Sequence, residues 1–265
     1  MLDKKLLYSL QNDNLNSFEI YLYESVTSTN DLAKEFAQSN KDKEAVIIAS
    51  SQTAGRGRRG RSFFSPEKTG LYMSILLRPS FLPQITSLLT PCAALCVAKA
   101  IEKVSGVSTK IKWINDVYID KKKVAGILCE SSFSPEKNQL DYVIVGIGIN
   151  ISTPIEGFPE DIKDIATSIF GSNTPSSYSI EKLAASIINE IYSYSLNLDS
   201  RAFIAEYKTR LCMLGEKIEV ITPNETYTAR AVDIDENAHL IVSLSNGSKR
   251  VLDAGEISIK NKKEC

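Results

Sequence analysis

Ala45-Val46-Ile47-Ile48-Ala49 leads to Gly55-Arg56-Gly57-Arg58-Arg59-Gly60-Arg61-Ser62-Phe63-Phe64-Ser65-Pro66 and then to Leu71-Tyr72-Met73-Ser74-Ile75-Leu76-Leu77. Two short apolar runs thus flank a loop of arginines and glycines, and such runs read as buried strands. The spacing Gly55-x-x-x-x-Gly60-Arg61-Ser62 imitates a Walker A loop with arginine in the lysine position. A P-loop must open a helix, whose free N–H groups hold the phosphates. Here Phe63-Phe64-Ser65-Pro66 and a strand follow, so the P-loop reading fails. Arginine presents a permanently charged planar fork suited to carboxylate and phosphate oxygens. Glycine lets a backbone approach a ligand closely. So much like charge in one loop repels itself unless an anion is nearby. Taken alone, the loop also fits a solvated surface, a nucleic-acid patch or a localisation signal.

Composition narrows that choice. Lys+Arg 31 against Asp+Glu 32 leaves a net charge of -1. A protein that neutralises a long phosphate backbone carries a broader basic excess. The expected ligand is therefore a small anion, with no DNA. At 265 residues the chain is long enough for one large domain with a small addition. No apolar run reaches the roughly 18 residues a membrane span needs, so no membrane is expected. The N-terminus lacks an export signal. The five cysteines (Cys92, Cys96, Cys129, Cys212, Cys265) form no CxxC pair, and His239 is the single histidine. Buried thiols in a reducing cytoplasm are expected, with no structural zinc.

Along the chain, Ile20 to Tyr23 read as a strand. Ser28-Thr29-Asn30-Asp31 opens a helix with side-chain oxygens available to cap it. A long helix spans about Ile85 to Val104, with Pro91 near its first turn and Gly106 as its stop. Lys110–Trp113, Val117–Ile119, Val124–Cys129 and Tyr142–Ile149 read as strands joined by short turns, hence antiparallel. Helices follow at Glu181–Leu198 and Ala202–Arg210. From Cys212 onward short alternating segments, with the Asn246-Gly247 hairpin signal, read as a small β-barrel. The expected fold is α+β: a mixed, largely antiparallel sheet flanked by helices over 1–211, with a C-terminal barrel over 212–265.

Other polar positions are ambiguous one by one. Asn115 and Asp116 suit any turn, Lys123 any strand edge, Ser28-Thr29-Asn30 any helix start, and Gln52 or Asn150 any loop or strand end. Gly146-Ile147-Gly148 has two of the Rossmann glycines and lies at a strand end, which supports a dinucleotide fold weakly. No Lys-x-Asp-Gly nucleophile is present for a covalent nucleotidyltransferase.

Their order along the chain carries more. S-T-N-D (28–31), Q-T-A-G-R-G-R-R-G-R-x-F-x-S-P (52–66), G-L-Y-x-S (70–74), K-W-I-N-D (112–116), K-V-A-G-I-L-C-E (123–130) and V-G-I-G-I-N (145–150) together resemble the biotin–protein ligases. The similarity runs from about Ile20 to Asn150. It implies a catalytic sheet like that of the class II synthetases, with an SH3-like barrel behind it. It also implies a two-step acyl transfer: biotin and ATP form biotinoyl-adenylate, and a lysine of a carrier protein then takes the biotinoyl group. By the match, Lys123, Arg56 and Arg58 are catalytic. Ser28, Thr29, Asn30, Gln52, Gly57 and Gly126 join them in binding biotin. Arg58, Arg59, Arg61, Lys112, Asn115, Asp116 and Asn150 face ATP, with Asp116 toward Mg2+. The arginine loop is expected to be mobile when empty.

The implied partner is a biotin carboxyl carrier protein or the carrier domain of a biotin-dependent carboxylase, and the implied enzyme is a monomer or homodimer. Two residues depart from the family pattern: Ile114 stands where proline is usual, and Phe63 where tryptophan is common. Only about twenty residues precede the pattern, too few for a winged-helix domain, so a dedicated ligase is expected rather than a ligase–repressor. The alternatives are a lipoate ligase, a family that lacks the arginine loop, and a non-catalytic biotin- or nucleotide-binding regulator.

Overall fold

The computed structural model describes residues 2–10, 18–136, 138–222, 224–253 and 255–259; Cys265 lies outside them. A short helix, α1 (Lys4–Ser9), inserts Leu7 into the core ahead of the first strand. Seven strands then form one sheet: β1 (Glu19–Tyr23), β2 (Ala45–Ala49), β3 (Gly70–Leu77), β4 (Lys110–Lys112), β5 (Asp116–Ile119), β6 (Lys122–Ser134) and β7 (Gln139–Asn150). Their spatial order is β1-β2-β3-β7-β6-β5-β4. β1 and β2 run parallel and are connected through α2 (Thr29–Ser39), as a parallel pair requires a crossover. The remaining neighbours are antiparallel. The mixed, largely antiparallel sheet read from the short turns is thus present.

Alternation along the strands sorts their side chains onto two faces. Val46, Ile48, Met73, Ile75, Val143, Val145 and Ile147 point into the larger core, which is closed by α3 (Leu89–Ser105) and α4 (Ile180–Ser195). Ala45, Ile47, Leu76 and Ile144 face α2 in a second, smaller cluster. The single helix expected from Ile85 is broken at its start: a 3-10 turn covers Pro83–Leu88 before α3 begins, and Pro91 sits in the first α turn. Gly106, at φ 74°, ends it. Taken together, Pro83–Ser105 is long and apolar enough to cross a bilayer by length and composition, which corrects the sequence reading. Yet 67% of its most apolar window is buried inside the protein, as in a core helix. Cys92 and Cys96 are buried there as free thiols.

A second sheet follows α5 (Ile204–Arg210). It comprises β8 (Lys217–Ile221), β9 (Thr226–Ile234), β10 (Leu240–Ser243), β11 (Lys249–Leu252) and β12 (Glu256–Ile259), in the order β11-β10-β9-β8-β12, all antiparallel. β12 carries no strand signal that the sequence reading registered. Two buried hydrogen bonds hold the turn between β4 and β5, one from this second sheet's β9–β10 connection and one from α5. Trp113 Nε1 donates to Ala238 O at 2.8 Å, and Tyr207 Oη donates to Ile114 O at 3.0 Å. The Trp113–Ile114 peptide bond is cis.

A third tie joins α3 to α5. Glu102 accepts from Thr109 N at 2.9 Å and pairs with Arg210 Nη1 at 2.8 Å. Burial pushes the Glu102 carboxyl up, but Arg210 and the N–H and hydroxyl of Thr109 outweigh it and hold it below its ordinary value. A depressed folded-state pKa stabilises the fold above the unfolded value of 4.5, and that contribution disappears as pH falls through the folded value.

Two outcomes are expected. Trp113→Phe, which leaves the Ala238 carbonyl buried without its donor, should cost about 1–3 kcal/mol in urea unfolding at neutral pH. Glu102→Gln should cost about 1–2 kcal/mol at neutral pH, and the gap to the parent protein should close in acid once the native carboxyl is protonated.

Candidate active site

The same alternation that builds the core builds a cleft on the opposite face. The register aligns three rows across β6, β7 and β3: Glu130–Ile144–Leu76, Leu128–Gly146–Ser74 and Gly126–Gly148–Tyr72. In the second and third rows the central residue is glycine, so the floor there is bare backbone. A Cβ at Gly146 would overlap the Asn30 amide, and one at Gly148 would stand 2.5 Å from Phe63 Cε1. Gly126 faces both Phe63 and the Lys123 ammonium, the latter 3.0 Å from where its Cβ would be. The glycines discounted as a Rossmann remnant therefore have a different use. They clear a cleft lined by Ser28, Asn30, Gln52, Arg58, Phe63 and Lys123 among others.

One end of the cleft is polar and neutral. Ser28 occupies the N-cap position of α2, but its side chain makes no capping bond. Gln52 Oε1 caps instead, accepting from Thr29 N at 2.9 Å, while Gln52 Nε2 donates to Ser65 Oγ at 2.9 Å. This corrects the expectation that α2 supplies its own cap, and it joins the arginine loop's approach to the helix start. Ser74 Oγ lies 2.8 Å from Thr29 Oγ1 and donates to Asn30 Oδ1 at 2.6 Å. Asn30 Nδ2 donates to Glu130 Oε2 at 2.8 Å. Ser28, Thr29 and Asn30 are all buried and line this end of the cleft.

The other end is charged. Arg58 Nη1 donates to Asn115 Oδ1 at 3.0 Å, and Asn115 Nδ2 donates in turn to Ile127 O at 2.9 Å. Lys123 Nζ lies 2.7 Å from Asp116 Oδ1 and 5.9 Å from the centre of the Phe63 ring. The Lys123 backbone is held on both sides, by Ile165 O at 2.8 Å from its N–H and by Thr167 N at 2.8 Å from its carbonyl. Arg56 pairs with Asp31 at 2.6 Å and with Glu130 at 3.0 Å. The Asp31 hydrogen bond, reinforced by Glu130, raises its already high pKa. At Arg56, self-repulsion within the loop is thus relieved by the chain's own carboxylates, a source of relief that the sequence reading did not register.

Of the residues singled out in the sequence, Ser28, Thr29, Asn30, Gln52, Arg56, Gly57, Arg58, Asn115, Lys123 and Gly126 line one cleft. Asp116 adjoins it through Lys123. Asn150 sits at the end of β7, its Nδ2 on Thr167 O at 3.0 Å and its buried Oδ1 without a partner. Arg59, Arg61 and Lys112 do not line the cleft: Arg59 reaches Ile221 O of β8 at 3.5 Å, and Lys112 lies over Tyr118. Asp31, Ser74 and Glu130 had been quoted only within the motifs, Phe63 only as a departure from the family pattern, and Gly146 and Gly148 only as a weak Rossmann match. The period-2 pattern of V-G-I-G-I-N was the available signal for the last two. Behind the floor, burial raises the Cys129 thiol to about 12, which leaves it unreactive.

Known proteins resemble the chain over most of its length. The model of the biotin/lipoate A/B protein ligase family matches residues 22–150, and that of the biotin protein ligase C terminal domain matches residues 213–260. The chain is 32% identical to the bifunctional ligase/repressor BirA of Bacillus subtilis, over 95% of this chain and 77% of that protein. It is 28% identical to a biotin–[acetyl-CoA-carboxylase] ligase of Mycobacterium tuberculosis, over 87% and 85% of the two chains. The structure of the Aquifex aeolicus biotin protein ligase in complex with biotin and ATP superposes with a TM-score of 0.74 at 27% identity, covering 92% of this chain and 99% of that one.

Gly146→Ala tests the bare floor. The added methyl must displace Asn30, so we expect a loss of about 1–3 kcal/mol in urea unfolding despite the entropic gain of alanine over glycine in the unfolded chain.

Proposed function

Since the chain belongs to the biotin/lipoate A/B protein ligase family, we propose that it is a biotin–protein ligase. In this reading it forms biotinyl-5'-AMP from biotin and ATP and transfers the biotinyl group to a carrier-protein lysine. The observation that carries the reading is the division of one cleft into a neutral hydrogen-bonding end at Ser28, Thr29, Asn30 and Gln52 and a cationic end at Arg58 and Lys123. Biotin has the matching halves: a neutral ureido ring that needs buried partners and a carboxylate on an aliphatic tail. Each tail CH2 buried against Leu128 and the glycine floor would contribute about 0.8 kcal/mol.

In the first step a carboxylate oxygen attacks the α-phosphorus of ATP, the bond to the bridging oxygen breaks, and pyrophosphate leaves. Two anions must meet, so preorganised cations at the junction lower the barrier. Lys123 is the compact charge at that point, turning from Asp116 to the reacting oxygens, while Arg58 spans from the loop to Asn115. In the second step the carrier lysine attacks the acyl carbon, AMP departs, and the amine loses its proton as the amide forms. The name of the Mycobacterium tuberculosis relative favours a carboxylase carrier domain as the acceptor.

Asn115, Asp116 and Asn150 would face the nucleotide. Magnesium would come with its phosphates. Among the described residues no group of three or more His, Cys, Asp or Glu could hold a metal ion. Asp116 is the one carboxylate offered, a donor set that fits an ion held mostly by phosphate and water. Its contribution would be to neutralise phosphate charge.

Lys123→Ala tests the assignment. Biotin-dependent exchange of pyrophosphate into ATP should fall about a hundredfold to a thousandfold, with the urea unfolding midpoint unchanged. Biotin should support exchange in the parent protein, and lipoate should not. Normal exchange in the variant would remove Lys123 from the chemistry.

A further inference from the structure

Arg56 stands next to the cationic end of the cleft, yet its guanidinium is already engaged. Nη1 donates to Asp31 Oδ1 at 2.6 Å and Nη2 donates to Glu130 Oε1 at 3.0 Å. Both terminal nitrogens of the guanidinium are thus committed to carboxylates of the chain itself. The three residues come from separate parts of the chain: Asp31 from the first turn of α2, Glu130 from β6, and Arg56 from the loop between β2 and β3. Glu130 divides its oxygens, with Oε2 on Asn30 Nδ2 at 2.8 Å and Oε1 on Arg56. Its charge therefore fixes one wall of the neutral end and the loop at the same time.

We infer that Asp31 and Glu130 are positioning residues that grip Arg56 from two sides and clasp the arginine loop across the cleft. In this arrangement Arg56 holds the loop, while Arg58 and Lys123 meet the substrate's acid group. The inference rests on the ligase reading for the identity of that substrate, but not for the clasp itself. The grip is made of half-exposed ion pairs, which are individually weak. It is a fastening that opens and re-forms as ligand comes and goes. Asn30 gains a second consequence. With its Nδ2 committed to Glu130 and its Oδ1 to Ser74, the amide orientation is set before a ligand arrives.

The test compares the parent protein with Asp31→Asn, Glu130→Gln, Arg56→Gln and the Arg56→Gln/Glu130→Gln pair. Pyrophosphate exchange gives KM for biotin, KM for ATP and kcat, and biotin methyl ester serves as an uncharged competitor. Limited trypsin digestion of the ligand-free proteins at the arginine loop gives a second readout. The clasp predicts that KM for biotin rises about threefold to tenfold in each single variant, and that the ester's inhibition weakens by a similar factor. It also predicts a double variant no worse than the poorer single one, with kcat and KM for ATP within about twofold of the parent. A general folding defect would lower kcat as well. Asp31→Asn and Glu130→Gln should be cut in the loop several-fold faster than the parent.

Tighter biotin binding by Glu130→Gln would overturn the inference, because Glu130 would then be a competitor for the site. So would an Arg56→Gln variant that loses biotin but keeps the ester, since Arg56 would then be a ligand of the carboxylate. Unchanged cleavage would overturn it too. A parent protein without biotin-dependent exchange would refute the ligase reading, and the digestion would still decide the clasp.

Discussion

Side chains along a strand alternate between two faces, and every feature of the cleft depends on that alternation. On β7 the residues facing α3 are Val143, Val145, Ile147 and Ile149, all buried in the main core. The residues on the other face include Gly146 and Gly148, which contribute no side chain. One strand thus anchors the fold on one side and vacates space on the other. A register slip of one residue would exchange the two faces, burying glycine backbone in the core and filling the cleft with valine and isoleucine. The pairing of β7 along most of its length with both β3 and β6 makes such a slip costly. Stability and ligand space are therefore specified by the same pattern.

Around that floor the charges are organised by the chain's own groups. Lys123 rests on Asp116, Arg58 on Asn115, and Arg56 between Asp31 and Glu130. A concentration of cations in a loop need not be disordered when the neighbouring strands and helix supply compensating groups. These internal partners differ in kind. Asn115 is a neutral partner of Arg58, whereas Asp116 is an ionic partner of Lys123. The turn carrying Asn115 and Asp116 is itself held from behind by Trp113 and Tyr207. The second sheet, remote from the cleft floor, thereby shares in fixing the charged end.

Much of this was legible in the residues. Strands such as Ala45–Ala49 appear where their apolar runs stand, because a five-residue run with every side chain buried leaves little choice of conformation. The short Asp120-Lys121-Lys122 turn gave the antiparallel pairing of β5 with β6. Less legible was anything that depends on distant partners. Gln52, rather than Ser28, caps α2, because tertiary contact overrode a local signal. Asp31 and Glu130 carried no signal of their own, since no local pattern says that residues 25 and 74 positions away from Arg56 will meet its guanidinium. Arg59 lay within a highly specific motif yet turned toward β8. Charge density in a sequence locates a site, but it does not say which way each side chain points.

The glycine floor has a one-sided evolutionary consequence. Positions 126, 146 and 148 already carry the smallest residue, so any change in the codons for these three can only subtract room. Drift there can narrow the range of acids accepted but never broaden it. Acceptance of a bulkier acid would have to come from positions where side chains remain to be trimmed, such as Phe63, Leu128 or the start of α2. At the three glycines the limit on size is fixed, and only their neighbours can adjust it.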